Sequence, residues 1–174
     1  ASTADLSPAA LKRTVEAAID IARYTSEDPC AGLADKDALE FSPPDLDLFH
    51  PADVSTEQAI AMCVAAEEAA FAVDSRITNS DGASFSSHQG LKVYGNSHGQ
   101  LVGYPSSRHS LSCSVIGEDG DDMQRDYSYT VSRELGLLLS SEQIGREAAQ
   151  ETINRLNSRK LGTQKVPVIF RADI

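Results

Sequence analysis

Apolar positions recur at helical spacing in three segments of the chain and alternate with polar ones between the second and third. Ser7 as N-cap and Pro8 at the first helical position open a segment in which Leu11, Val15, Ala18, Ile19 and Ala22 share one face. This stripe predicts a helix ending near Tyr24 and Thr25. A second helix is predicted from Ser55, where Ser55 and Gln58 have capping-box spacing. There Ile60, Cys63, Val64, Ala70 and Phe71 form a candidate core stripe interrupted by Glu67. A third is entered through Ser140 and Gln143 and turns Ile144, Ala148, Ala149, Ile153 and Leu156 inward. Arg159 and Lys160 are expected near its C-terminus, where cations complement the helix dipole.

From Arg76 to Val131 the pattern shifts to runs rich in Ser, Thr, Tyr and Val, punctuated by Ser80-Asp81-Gly82, Asn96-Ser97-His98-Gly99 and Glu118-Asp119-Gly120-Asp121. Three turn signals predict four antiparallel strands, near residues 76–79, 83–95, 100–116 and 123–131. In the last of these, Met123, Arg125, Tyr127, Tyr129 and Val131 fall on one face and Asp126, Ser128 and Thr130 on the other, the period of a half-buried meander. A polar, proline-bearing stretch from Ser26 to Val54, with apolar islands at Leu46, Leu48 and Phe49, predicts a long loop. Loops of that length often cover a site or another part of the protein. The apolar run Val166 to Phe170 predicts a buried strand. Consecutive strands without crossover helices give an α+β fold, an antiparallel β-meander packed with helices.

With 174 residues and 41% hydrophobic content, the chain is long enough for one sizeable core. Fifteen basic residues against 26 acidic ones give a formal charge of -11. Such a surface repels phosphate backbones and anionic lipid heads, which argues against nucleic acid or membrane as direct partners. No apolar stretch approaches a membrane span, and no signal-peptide pattern opens the chain. Cys30, Cys63 and Cys113 are odd in number and widely spaced, which fits reduced thiols in a cytoplasmic protein.

Catalytic chemistry is sparse. A zinc peptidase needs ligands gathered around the metal, typically two His one helical turn apart with a Glu as base, and His50, His88, His98 and His109 offer no such pair. No GxSxG elbow is present for a serine nucleophile. Asn96 to Gly99 lacks the helix and GK[ST] of a phosphate loop, and Glu118 to Asp122 lacks the closing Glu of a calcium loop. No catalytic residue, metal ligand or cofactor is therefore assigned within these residues. Arg108 and His109 remain candidates for binding a peptide carboxylate, since Arg offers a bidentate fork and His a tunable donor.

Several segments carry a resemblance: Asp20-Ile-Ala-Arg-Tyr-Thr, Asp45-Leu-Asp-Leu-Phe-His-Pro, Arg76-Ile-Thr-Asn-Ser-Asp-Gly-Ala-Ser-Phe, Gly95-Asn-Ser-His-Gly, Ser107-Arg-His-Ser, Arg125-Asp-Tyr and Lys165-Val-Pro-Val-Ile-Phe. Together they resemble the N-terminal domain of the TldD/PmbA peptidase family, on its PmbA-type (TldE-type) branch, over essentially the whole chain. The resemblance implies a fragment of a longer parent, cut before Ala1 and after Ile174. Residues 1–165 would be part of an N-terminal α+β domain and residues 166–174 the beginning of a β-rich C-terminal domain. It further implies proteolysis and peptide maturation by a heterodimer in which a TldD-type partner carries zinc on an HExxxH helix, the PmbA-type subunit having no intact version of that motif. The function expected is a scaffold that meets the TldD-type subunit and admits unfolded peptide. The alternative is a noncatalytic interaction module of the gyrase-modulator type.

Overall fold

Helix starts are set by side-chain caps. In the computed structural model, which describes residues 1–170, α1 (Pro8–Tyr24) begins where the Ser7 hydroxyl accepts from the Ala10 N–H, with Pro8 in the first turn. At α2 (Thr56–Phe71) the Ser55 and Gln58 side chains each take the other's backbone N–H, completing the expected box. At α3 (Ser141–Arg155) Ser140 caps the Gln143 N–H, but the Gln143 amide donates to Glu147 instead of reaching back, so only half of that box forms.

Three strands follow the first two helices, not four: β1 (Ile77–Gly95), β2 (Leu101–Asp119) and β3 (Asp122–Ser132), antiparallel in the order β1-β2-β3. The difference lies at Ser80-Asp81-Gly82, which reads as a turn but is an irregularity within β1, with register shifts between Ile77 and Asn79 and between Ser80 and Gly82. Gly82 takes φ +116°, a conformation that suits glycine, and the Ser80 hydroxyl accepts its N–H. A turn-forming triplet can thus be absorbed as a bulge when both flanks pair with the same neighbouring strand. The other two turn signals form the β1–β2 and β2–β3 hairpins.

The chain divides into two compact units: residues 1–40 with 96–100, and residues 41–95 with the described residues from 101 onward. In the first, α1 leads into the early part of the long loop, with one short 3-10 turn at Lys36–Ala38. The hairpin tip is tied to that loop by His98 Nδ1 against the Ala34 carbonyl (3.1 Å) and by the Gln100 amide donating to the Glu40 carbonyl. The α1 stripe is not a core stripe: Leu11, Val15 and Ile19 are exposed, and Ala10 is its only buried residue.

The second unit holds the core. α2 and α3 pack on one face of the sheet around Ala66, Ala70, Ile77, Leu111, Cys113, Val115, Ile144, Ala148 and Ala149. The buried side of α2 is its alanine face: of the apolar stripe read from sequence, Ala70 is core and Cys63 packs against it, while Ile60, Val64 and Phe71 are exposed. Helix–helix distance explains this. Gly145 of α3 lies against the Ala66 carbonyl, and only small residues fit so close an approach. The interrupting Glu67 is half-buried because its carboxylate accepts the Ser80 hydroxyl at the β1 irregularity.

Period two holds in β3, with the polar set covered. Thr130 is buried and Gln124, Asp126 and Ser128 are half-buried, whereas Met123, Tyr127, Tyr129 and Val131 are exposed. α3 supplies the partners. Thr152 Oγ1 accepts the Asp126 N–H, Glu147 accepts the Ser128 hydroxyl, and Arg155 pairs with Asp126 at 3.1 Å. α3 ends at Arg155, so Arg159 and Lys160 lie beyond it and Arg155 is the basic residue of the last turn. Residues 166–170, the whole of the predicted strand, form none and are exposed, Ile169 at 96%; residues 171–174, expected with them to begin a C-terminal domain, lie outside the described residues.

Arg76 joins the start of β1 to the end of β2 through Asp74 (2.8 Å) and Asp119 (3.4 Å). Hydrogen bonds from the Arg76 side chain and backbone hold the Asp74 carboxyl down at about 2, against an ordinary 3.8. A lowered folded-state value means that the contribution is present above 3.8 and is lost as pH falls through about 2. Asp74→Asn is expected to lose less stability than the parent over that window, measured by thermal melts at successive pH values.

Candidate functional site

β3 ends at Ser132, opposite His109, so β2 residues 101–108 are paired only with β1. Pro105 is the local sequence sign of such an edge, since proline has no N–H to donate to a ladder. The second half of the long loop runs beside this edge, and Leu48 accepts the Ser107 N–H at 2.9 Å as a single strand-like bond. Between Pro43–Phe49 and Val102–Pro105 an open groove of about 570 Å³ remains. Its walls include Pro44, Leu46, Phe49, Val102 and Tyr104, and its charged lining residues are Asp45 and Asp47.

A buried polar node holds the loop there. Ser107, 1% exposed, donates its hydroxyl to the Arg133 carbonyl (2.7 Å) and accepts the His50 N–H (2.8 Å). His109 is fully buried, with Nε2 3.4 Å from the His50 carbonyl and Nδ1 3.0 Å from the Ser87 hydroxyl. A carbonyl can only accept, so Nε2 is the donor toward His50. Gln89 donates to the Ala52 carbonyl and fixes the loop's far end. Ser107→Ala is expected to cost about 1–3 kcal/mol, because it strips the half-buried His50 N–H and the Arg133 carbonyl of their partner. Chemical denaturation should show it, with faster amide exchange at residues 48–50.

The two sequence candidates do not converge. Strand alternation buries His109 beneath the loop and leaves Arg108 exposed on the other face, opposite His88 in register. Of the remaining histidines, His50 meets His109 through its backbone carbonyl and turns its ring to Asp47 (3.3 Å), His98 sits in the β1–β2 turn, and His88 is exposed on β1. Among the described residues no group of three or more His, Cys, Asp or Glu is arranged to hold a metal ion, so these side chains do not fit a catalytic zinc. Burial and then the Glu67 charge push the Cys113 thiol up to about 11, far from a reactive thiolate. Sequence reasoning missed Ser107 and the groove, although the proline-flanked Leu46, Leu48 and Phe49 together with Pro105 were the available signals.

The family profile described as PmbA/TldA metallopeptidase central domain matches residues 49–156, a span containing the whole sheet, α2 and α3. The chain belongs to the PmbA/TldD metallopeptidase family. It is 58% identical over 174 residues to Metalloprotease PmbA of Escherichia coli O157:H7 and 55% identical to the Metalloprotease PmbA homolog of Haemophilus influenzae. Both matches cover all of this chain and 39% of the relative, so the chain spans about two fifths of the length of these curated relatives. Among solved structures, a Bacteroides thetaiotaomicron protein named as a candidate modulator of DNA gyrase superposes with a TM-score of 0.77 at 26% identity, over 92% of this chain and 37% of that one. TldE from Thermococcus kodakarensis shares the fold, with a TM-score of 0.57 at 20% identity over 84% of this chain and 33% of its own. No helix among the described residues is long and apolar enough to cross a membrane.

Proposed function

We propose that this chain is the scaffold of a PmbA-type subunit in a cytoplasmic TldD/PmbA metallopeptidase, admitting unfolded peptide to a zinc site carried by a TldD-type partner. The observation that carries the reading is the groove beside the one-sided part of β2, in a family of metallopeptidases, on a stretch whose own His, Cys and acidic side chains do not gather around a metal. The groove's lining combines apolar walls with an open backbone edge, a setting for extended chain. In this reading the family's chemistry, polarisation of a peptide carbonyl and activation of water, is supplied by the partner's metal. The residues described here hold geometry: Ser107 and His109 fix the loop, and the loop forms one wall of the groove.

The test is hydrolysis of an unstructured peptide by the protein carrying this sequence at its natural length. It is assayed alone and with a zinc-loaded TldD-type subunit, with and without chelator. Chelator-sensitive cleavage only in the mixture is the expected result. Cleavage by this protein alone would overturn the assignment, and a stable complex without cleavage would favour a noncatalytic adaptor.

A further inference from the structure

The sheet has one covered face and one open face. α2 and α3 lie on the side of Leu111, Cys113 and Val115, so strand alternation turns Arg108, Ser110, Ser112 and Ser114 of β2 the other way. Register sets Val131, Tyr129 and Tyr127 of β3 opposite those three serines, and His88 of β1 opposite Arg108. Tyr127 and Tyr129 stack with ring centroids 6.2 Å apart and are 58% and 49% exposed. The charge on this face has the opposite sign to the chain's. From Gly82 to Gly117 there is no Asp or Glu, although the chain carries 26 of them and has a net charge of -11. Lys92 and Arg108, both on the outward parity, have no carboxylate partner among the described residues, whereas Arg125 is paired with Asp81 at 2.8 Å.

From this composition we infer that the open sheet face is the surface on which the TldD-type subunit docks, through a patch of that subunit bearing Asp and Glu. This rests on the subunit reading above and names the face and the chemistry of the contact. Tyrosine supplies rigid, amphipathic contact area at low entropic cost, and serine hydroxyls supply adaptable hydrogen bonds. A face of one sign steers in a partner of the other sign and rejects partners of its own. Two copies of this chain meeting through the same face would set cation against cation, which disfavours a symmetric homodimer here. Docking of the face on the acidic remainder of another copy would be head-to-tail, leaving a free face at each end and growing open chains. A different, acidic subunit satisfies the charge and closes the assembly. The carboxylate-binding fork read from sequence at Arg108 fits this contact, with the carboxylate on a side chain of the partner.

The test titrates the protein carrying this sequence at its natural length against the zinc-loaded TldD-type subunit by calorimetry. Arg108→Glu is expected to weaken the complex by about tenfold, and Tyr129→Ala by a similar factor. Arg146→Glu, at an exposed position of α3 on the covered side of the sheet, should stay within about twofold. Added salt should weaken the parent complex more than the Arg108→Glu complex. In a second measurement p-benzoylphenylalanine replaces Tyr129 and is irradiated in the mixture. Cross-links to the TldD-type subunit beside its acidic residues are expected, and this result carries the test if either variant fails to fold. Cross-links only within the same chain, or only to a second copy, overturn the inference. A complex that Arg108→Glu and Tyr129→Ala leave unchanged removes the docking face and leaves the subunit reading standing. Absence of any complex with the parent protein removes both. A complex weakened by Arg108→Glu but without peptide cleavage counts against the peptidase reading and keeps the face.

Discussion

Replacing Gly145 with alanine is expected to destabilise the second unit by at least about 3 kcal/mol, the upper end of what overpacking a core usually costs. A Cβ at this position would lie 1.9 Å from the Ala66 carbonyl oxygen, 2.9 Å from its carbon and 3.1 Å from the Ala70 nitrogen. All three are backbone atoms, so no side-chain rotation relieves the overlap, and α3 must move away from α2. Moving it would loosen Ile144, Ala148 and Ala149 together, since all three are fully buried on the same helix. A drop of roughly 10 °C in melting temperature is the corresponding shift for a chain of this size. A Gly145→Ala protein melting within a degree or two of the parent would show that the helices are further apart than described.

Leu111→Ala comes next, at about 2–5 kcal/mol, the range for emptying a fully buried leucine site. Leu111 is 0% exposed in the middle of β2, between Phe85 of β1 and Thr130 of β3 in register, and beneath the helices. Its flanking strands pair continuously here, which restricts collapse into the space left behind. Leu91→Ala, on β1 at 71% exposure, makes the comparison informative: it should fall within about 0.5 kcal/mol of the parent. Denaturant titration distinguishes the two, with the Leu111 variant shifting the midpoint at unchanged slope. Equal effects of the two substitutions would contradict the placement of the core.

The candidate site was only partly legible before the structure. The loop between Ser26 and Val54 stood out as a cover of some kind, and its apolar islands fall where the groove wall forms. What it covers could not be read, because the missing neighbour of β2 residues 101–108 depends on where β3 ends. Arg108 and His109, adjacent in sequence, read as one feature, and strand alternation separated them into an exposed cation and a buried anchor. Ser107, one of many serines by composition, became distinctive only when His50 and Arg133 arrived from distant parts of the chain.

Local chemistry determined the starts of all three helices, the hairpins at Asn96–Gly99 and Glu118–Asp121, and the α+β class. Caps and turns are satisfied within a few residues, so their signals survive without tertiary context. The family, too, was carried by the sequence, and the matched profile is of that family. Which faces became core was decided by packing. An apolar stripe states which residues would favour burial, but the α2 surface that meets α3 is set by how closely the two backbones approach, and Gly145 with Ala66 made the small-residue face the closer fit. In β3 the polar face is covered because Thr152, Glu147 and Arg155 satisfy its hydrogen-bonding groups, leaving the tyrosines outward. Burial depends on the partner as well as the residue, and the partners here come from elements far away in sequence.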